Sequence, residues 1–361
     1  MNAYQEISSS AARAFCQELF KSYHFSTAES AVISDILLAA DFAGIESHGI
    51  QRIIRYHEEI TSGCVDVHAV PETVFDTKLS AVIDAHKAMG QLVAINALDL
   101  ACVKARDQGF GIVSVRNANH IGICGYYTER AAQEGFIGIC MTNTEAIAVP
   151  TFGSAGMLGT NPIAFAMNAD PFPLSFDVST TVVPRGKLEV CAKNNEPLPL
   201  GWAVDEEGRD TTNAAEVIDR IVRKAGGGIL PLGGAGILSG GHKGFGLGIL
   251  VEIFTGILSG GITSNHINRV PGETGICASF LVLDCALFGD TNEIKKRLEH
   301  FLDELRTSPK AQGHDRIFIP GERKAEVSAQ RAQSTIPVNK PTLDELRRIA
   351  ALQDVDSRLL C

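Results

Sequence analysis

Glu46-Ser47-His48-Gly49-Ile50-Gln51-Arg52-Ile53-Ile54-Arg55-Tyr56 is the stretch from which the rest of the chain is read. Ser47 is a residue type that caps helix N-termini, and the spacing predicts a helix from there to about Ser62, stopped by Gly63. Ile50, Ile53, Ile54 and Ile60 recur near helical spacing and form the stripe to be buried. His48, Arg52 and Tyr56 are spaced by four and share the other long edge. That edge offers an imidazole that can move a proton, a fixed cation and a hydroxyl. In a first turn, the positive end of the helix dipole disfavours imidazolium, which keeps His48 neutral and able to exchange a proton. The plainer reading of the same residues is an ordinary amphipathic helix with a Ser cap, a surface His, a solvated Arg and a half-buried Tyr.

On the N-terminal side, helices are expected at about 8–22 and from Ser26 to near Gly44, the second opened by a capping box of Ser26 with Glu29. On the C-terminal side the character changes. Residues 73–75 and 79–84 read as strands, 91–108 as a helix closed by Gly109, and 111–115 as a buried strand running into the polar turn Arg116 to His120. A short helix at 126–133 and a strand at 137–141 follow, and that strand ends in Thr142-Asn143-Thr144. Apolar strands that end in Asn-rich turns are where ligand groups collect in α/β proteins. Further strands are expected at 163–167, 174–178 and 279–284. Helices are expected within 211–224 and over 243–258 and 291–307, with a last one opened by a capping box of Thr342 with Glu345.

Composition narrows the class. The chain has 361 residues, 45% hydrophobic and 20% charged, enough for two domains and a large core. A net charge of −10 argues against nucleic acid or an anionic membrane as the main partner. The nine Cys are scattered, mostly within apolar runs, with no CxxC or Cys/His zinc spacing, so reduced thiols in a cytoplasmic protein and no metal site are expected. Met1 to Ser10 lacks a signal-peptide pattern, and the apolar run 247–258 is short and contains Glu252, so no membrane span is expected.

The glycine-rich stretch 226–248 holds neither a Walker A pattern nor GxGxxG in a strand-to-helix turn, so a Rossmann first unit is absent. It still offers glycines before a helix N-terminus, with Lys243 in the first turn, the ingredients of an anion site. A flexible surface loop with close helix packing explains the same glycines. His120 sits in a polar turn at a strand end, as a surface histidine or a site residue. Asp177 lies inside an apolar strand, where a carboxylate must be paired or hydrogen-bonded.

Together these segments resemble the malate/L-lactate/L-sulfolactate dehydrogenase superfamily, which is distinct from the Rossmann-type lactate and malate dehydrogenases. The resemblance rests on 47–49 with Arg52 and Tyr56, Asn119 to Gly122 with Tyr126-Tyr127, 142–144, Leu158 to Ala164, Asp177 to Ser179 with 185–187, Gly201 to Asp205, and Gly241 to Leu247. It extends towards the C-terminus through Pro320-Gly321-Glu322-Arg323. The resemblance implies an α/β (α+β), non-Rossmann fold: a large mixed, mostly antiparallel sheet domain that binds the nucleotide, here 73–254, and a mainly helical domain, here 1–72 with about 255–361. It implies a homodimer with the site between domains, using NAD or NADP on a small 2-hydroxy or 2-oxo acid, malate/oxaloacetate or lactate/pyruvate first. Alternatives are a diketo sugar acid, ureidoglycolate or a cyclic imino acid, or an inactive nucleotide-binding protein. In this reading Arg52 pairs with the substrate carboxylate, and His48 is the acid/base, oriented by Ser47 and Asp177. His120 is the competing acid/base, and Tyr56 helps close the pocket. Thr144, Asp177, Val178, Ser179, Lys243, Gly321 and Glu322 touch the nucleotide.

Overall fold

Ser26 accepts the Glu29 amide while Glu29 accepts the Ser26 amide, and this reciprocal cap opens helix α2 (Thr27–Phe42). The computed structural model describes residues 4–268 and 274–360. Strand β1 (Tyr4–Ser8) and helix α1 (Ser9–Ser22) precede α2, and α3 (Arg52–Thr61) follows it. Phe15, Leu19, Ile33, Leu37 and Ile53 from these helices are fully buried, each contributing roughly 1.5–3 kcal/mol of apolar burial. The helix that carries Arg52 begins later than its sequence suggests. Glu46–His48 form a separate 3-10 turn, and the helix is capped by Gln51 with no side-chain bond. Ser47 therefore does not cap it, because the Ile50 amide is taken by the Asp41 carboxylate at 2.7 Å and the Ser47 hydroxyl lies on His48 instead.

The sheet is built from β2 (Glu72–Asp76), β3 (Ser80–Asp84), β4 (Phe110–Ala118), β5 (Phe136–Thr142), β6 (Ile163–Met167) and β7 (Leu174–Val178). Helices α4 (Gly90–Gln108) and α5 (Cys124–Gln133) share its core through Val93, Leu98, Val113, Tyr127 and Cys140. Beyond it come α6 (Arg185–Asn194), β8 (Ala203–Val204), α7 (Ala214–Arg223), β9 (Gly228–Ile229) and α8 (Gly241–Glu252), which runs on into a π turn at Ile253–Ile257. The last elements are β10 (Ile276–Asp284), α9 (Thr291–Thr307), α10 (Glu322–Ala332), β11 (Thr335–Asn339) and α11 (Lys340–Leu352).

The strand order is β2-β3-β4-β10-β5-β6-β7. Only the β3/β4 pair is parallel, so the sheet is mixed and mostly antiparallel. Strand β10 comes from the stretch 255–361 that the sequence groups with the helices, yet it lies in the middle of the sheet. That grouping does not hold for 276–284. Placing β10 between β4 and β5 makes those two strands run the same way, so β4, β5 and β7 all end at one edge, where β6 and β10 begin. The C-terminal elements also return to the N-terminal helices: β11 pairs antiparallel with β1, and Ile336 and Leu346 join the helical core. Helix α11 is capped by Asn339, which accepts the Thr342 amide, so the expected Thr342–Glu345 box is replaced by a cap three residues earlier. No helix among the described residues is long and apolar enough to cross a membrane. The described cysteines are free thiols, and Cys361 lies outside the described residues.

Candidate active site

The turn after β4 carries Asn119 and His120. Asn119 donates to the carbonyls of Lys87 and Ala88 at 3.0 and 3.2 Å and accepts from Thr274 at 2.5 Å, which fixes the turn against α4 and the start of β10. Gly90 permits this approach, because a Cβ there would overlap the Asn119 carbonyl oxygen. Against that turn lies α3. The Tyr56 hydroxyl sits 2.7 Å from His120 Nδ1 and receives the Gln91 Nε2 at 2.8 Å. The ring centroids of His48 and His120 are 5.5 Å apart. Ser47 Oγ lies 3.0 Å from His48 Nδ1, and Arg52 Nε donates to the Ser47 carbonyl at 2.6 Å. His48, His120 and Arg52 therefore converge, and among the described residues no hydrogen bond engages Nε2 of either imidazole.

Electrostatics keeps both rings neutral. Burial, and then the Arg52 and Arg55 cations, push the His48 pKa down to about 3. Burial, Arg55, His48 and Arg52 hold His120 well below the usual range. The cause is thus desolvation and neighbouring cations. The helix-dipole argument from the sequence falls away, because His48 stands outside α3. Burial also lowers the pKa of Arg52, opposed in part by Tyr56 and Glu189. Glu189 belongs to α6, where a Cβ added at Gly186 would stand 4.0 Å from the Ser47 Cβ. This helix, absent from the sequence reading, thus forms part of the surroundings of Arg52.

The other expected site residues are placed as follows. Tyr56 is 1% exposed and spends its hydroxyl on His120 and Gln91, so it holds a ring rather than closing a pocket. The Asp177 carboxylate accepts the Gly125 amide at 2.7 Å at the N-terminus of α5 and, among the described residues, makes no bond to His48. Burial raises its pKa, opposed by that bond and by Lys324. Thr144 Oγ1 accepts the Thr160 amide at 2.9 Å, Ser179 Oγ donates to the Thr181 carbonyl, and Val178 is half exposed, all at the shared strand-end edge. Lys243 is exposed in the first turn of α8, and its ammonium has no ion-pair partner among the described residues. Gly321 has φ +101° and precedes α10. The Glu322 carboxylate turns inward, bound by Arg306 at 2.5 Å, Arg316 at 3.2 Å and the Ile319 amide at 3.1 Å, so only its backbone remains for a ligand. A cavity of about 110 Å³ beside Thr144 is lined by Glu145, Met157, Arg220, Lys224 and Ser264 but by neither histidine.

Two groups escaped the sequence reading: Gln91, behind Tyr56, and Asp41, beneath the His48 turn. Each is a lone polar residue in an apolar helical run, Met89 to Ala94 and Leu37 to Phe42, and that is the signal by which they could be found.

The sequence model of the malate/L-lactate dehydrogenase family matches residues 7–347. The chain belongs to this family. As a malate/L-lactate dehydrogenase family member it is 42% identical over 323 residues to a malate dehydrogenase of Pyrococcus abyssi, covering 89% of this chain and 88% of the relative. It is 34% identical over 322 residues to a malate/(S)-sulfolactate dehydrogenase of Methanothermus fervidus, covering 88% and 89%. A crystal structure of malate dehydrogenase from Entamoeba histolytica superposes with a TM-score of 0.94 at 31% identity, covering 98% of this chain and 99% of that one. The family makes the chain a 2-hydroxyacid dehydrogenase, an activity that implies a nicotinamide cofactor.

Proposed function

We propose that the chain interconverts a 2-hydroxy acid and its 2-oxo acid, malate and oxaloacetate first, with NADH or NADPH as the hydride carrier. The observation that carries this reading is the convergence of two neutral imidazoles and a half-buried guanidinium; similarity to a malate dehydrogenase over most of the chain supports the choice of substrate. In the proposed mechanism Arg52 grips the substrate carboxylate with its planar fork. Pairing removes part of the positive field that disfavours imidazolium, so a proton enters with the acid. His48 then gives a proton from Nε2 to the 2-oxo oxygen as C2 is reduced and takes it back in the reverse direction. His120, held through Nδ1 by Tyr56, hydrogen-bonds the same oxygen.

A bound nicotinamide supplies the hydride, or accepts it in the reverse direction. The residues present fit such a cofactor. The exposed Lys243 ammonium at the start of α8 suits a diphosphate, and Thr144, Asp177, Val178 and Ser179 share one sheet edge. We place the nucleotide on the sheet part, 73–254, and the acid against the helices of 1–72. A second copy of the chain is proposed to cover the apolar side of α8 and its π turn, where Leu250, Ile253 and Ile257 are exposed. Light scattering showing a monomer would remove the dimer.

The test is oxidation of NADH and of NADPH, followed at the nicotinamide absorbance, with oxaloacetate, pyruvate, sulfopyruvate, 2,3-diketogulonate and a cyclic imino acid. The highest kcat/KM is expected with oxaloacetate. Sulfopyruvate is the second candidate, on the similarity to the Methanothermus enzyme. No reduction of any of them despite cofactor binding would overturn the reading.

A further inference from the structure

Asp41 sits on the last turn of α2 and is 2% exposed. Its Oδ2 accepts the Ile50 amide at 2.7 Å, and a Cβ on Gly49 would overlap the carboxylate. The carboxyl group therefore lies directly beneath Gly49-Ile50, the two residues that follow His48 and lead to Arg52. Arg331 of α10 is close, but its guanidinium is spent elsewhere. It donates to the Asp41 carbonyl at 2.7 Å and pairs with Glu46 at 3.2 Å. The titratable and charged groups facing the carboxylate are Glu46 of the turn, Arg331 of α10 and Cys16 of α1. A dent lined by Asp41, Glu46, Ile50 and Thr342 has a volume of about 10 Å³, no more than a single water occupies.

We propose that Asp41 is a positioning residue for acid binding: its ionised carboxylate grips the turn that carries His48 and leads to Arg52, and protonation relaxes that grip and weakens substrate binding. The proposal rests on the reading that this turn and Arg52 receive the acid. An N–H bond to an ionised carboxylate is roughly twice as strong as one to a neutral acceptor, so the charge state matters at this seat. Burial pushes the Asp41 carboxyl up to about 7; the Ile50 amide and Arg331 oppose the rise and Glu46 adds to it. His48 is held at about 3. Near neutral pH, the carboxyl under the turn changes charge and the imidazole above it does not.

The experiment compares the wild type with Asp41→Asn and Gly49→Ala between about pH 5.5 and 8.5, the range that brackets that titration. Calorimetry with oxalate, a small dicarboxylate probe, on the NADH complex reads acid binding. The ratio of wild-type to Asp41→Asn affinity is expected to rise about tenfold from the acid to the alkaline end, with the oxaloacetate KM following it and NADH affinity unchanged. Taking the ratio cancels proton uptake by the histidines, which both proteins share. Gly49→Ala, which drives the carboxylate off its seat, should raise the oxaloacetate KM at the alkaline end about tenfold with NADH affinity unchanged. A ratio flat with pH, or NADH affinity falling in parallel, would overturn the proposal. Amide exchange over residues 46–52 reads the grip without any substrate. Exchange through local opening, below the free energy of global unfolding, should be faster in Asp41→Asn than in the wild type at the alkaline end, and equal local rates would also overturn the proposal. Should the wild type show that exchange difference yet neither bind oxalate nor reduce a 2-oxo acid, the assignment of the site falls, and with it the claim on substrate binding.

Discussion

Replacing Asp41 by Asn should stabilise the protein above neutral pH. Burial raises the folded-state pKa of this carboxyl from 3.8 to about 7. In that window the folded protein holds a proton that the unfolded chain has released, so on account of Asp41 stability falls as pH rises and levels off above about 7. Each unit is worth about 1.4 kcal/mol, and between pH 5 and pH 8 the loss amounts to about 2–3 kcal/mol. Asn fills the same space and carries no charge, so it escapes the loss. Urea unfolding of both proteins at pH 5, 6, 7 and 8 should give similar free energies at pH 5 and a gap of about 2–3 kcal/mol in favour of Asn at pH 8. Parallel curves, with a gap constant to within about 0.5 kcal/mol, would refute the reasoning and show that the carboxylate is solvated or compensated. The more stable variant is also the one expected to bind the acid less well, as holds where an active site stores an unfavourable charge.

Three substitutions test the proposed chemistry. His48→Ala should cut turnover by about two to four orders of magnitude with cofactor binding nearly intact; if only His120→Ala does so, the two rings exchange roles. Arg52→Lys keeps the charge and loses the planar fork, so it should mainly raise the oxaloacetate KM, and an unchanged KM would place the carboxylate elsewhere. Tyr56→Phe leaves His120 Nδ1 and Gln91 Nε2 without a partner, at a cost of about 1–3 kcal/mol in stability for each group left buried. Calorimetry showing no loss would mean that a water replaces the hydroxyl.

Much of the fold could be read from local pattern. Strands β6 and β7 and helix α9 lie where alternation and periodicity put them. The boxed cap of α2 was legible because both of its bonds lie within four residues. What failed depends on contacts between residues distant in sequence. The start of α3 departs from the local pattern because Asp41, nine residues before Ile50, takes the amide that a local cap would have taken. Tyr56 and His120 are 64 positions apart, and no spacing announces their bond. Helix α6 buries only Leu188, so it has no apolar stripe to betray it. For Glu322, the resemblance implied a nucleotide contact, while Arg306 and Arg316, which turn its carboxylate inward, are neighbours only in space. The line of His48, Arg52 and Tyr56 was visible; the groups that hold it from behind were not.

The late arrival of β10 has a consequence for biogenesis. On the ribosome, β4 and β5 emerge long before the strand that separates them, and at ordinary elongation speeds the delay is on the order of ten seconds. Throughout it, two apolar strands have open backbone edges that can zip onto each other or onto a neighbouring nascent chain. Chains halted before Ile276 would therefore accumulate as aggregates or chaperone clients rather than as folded fragments.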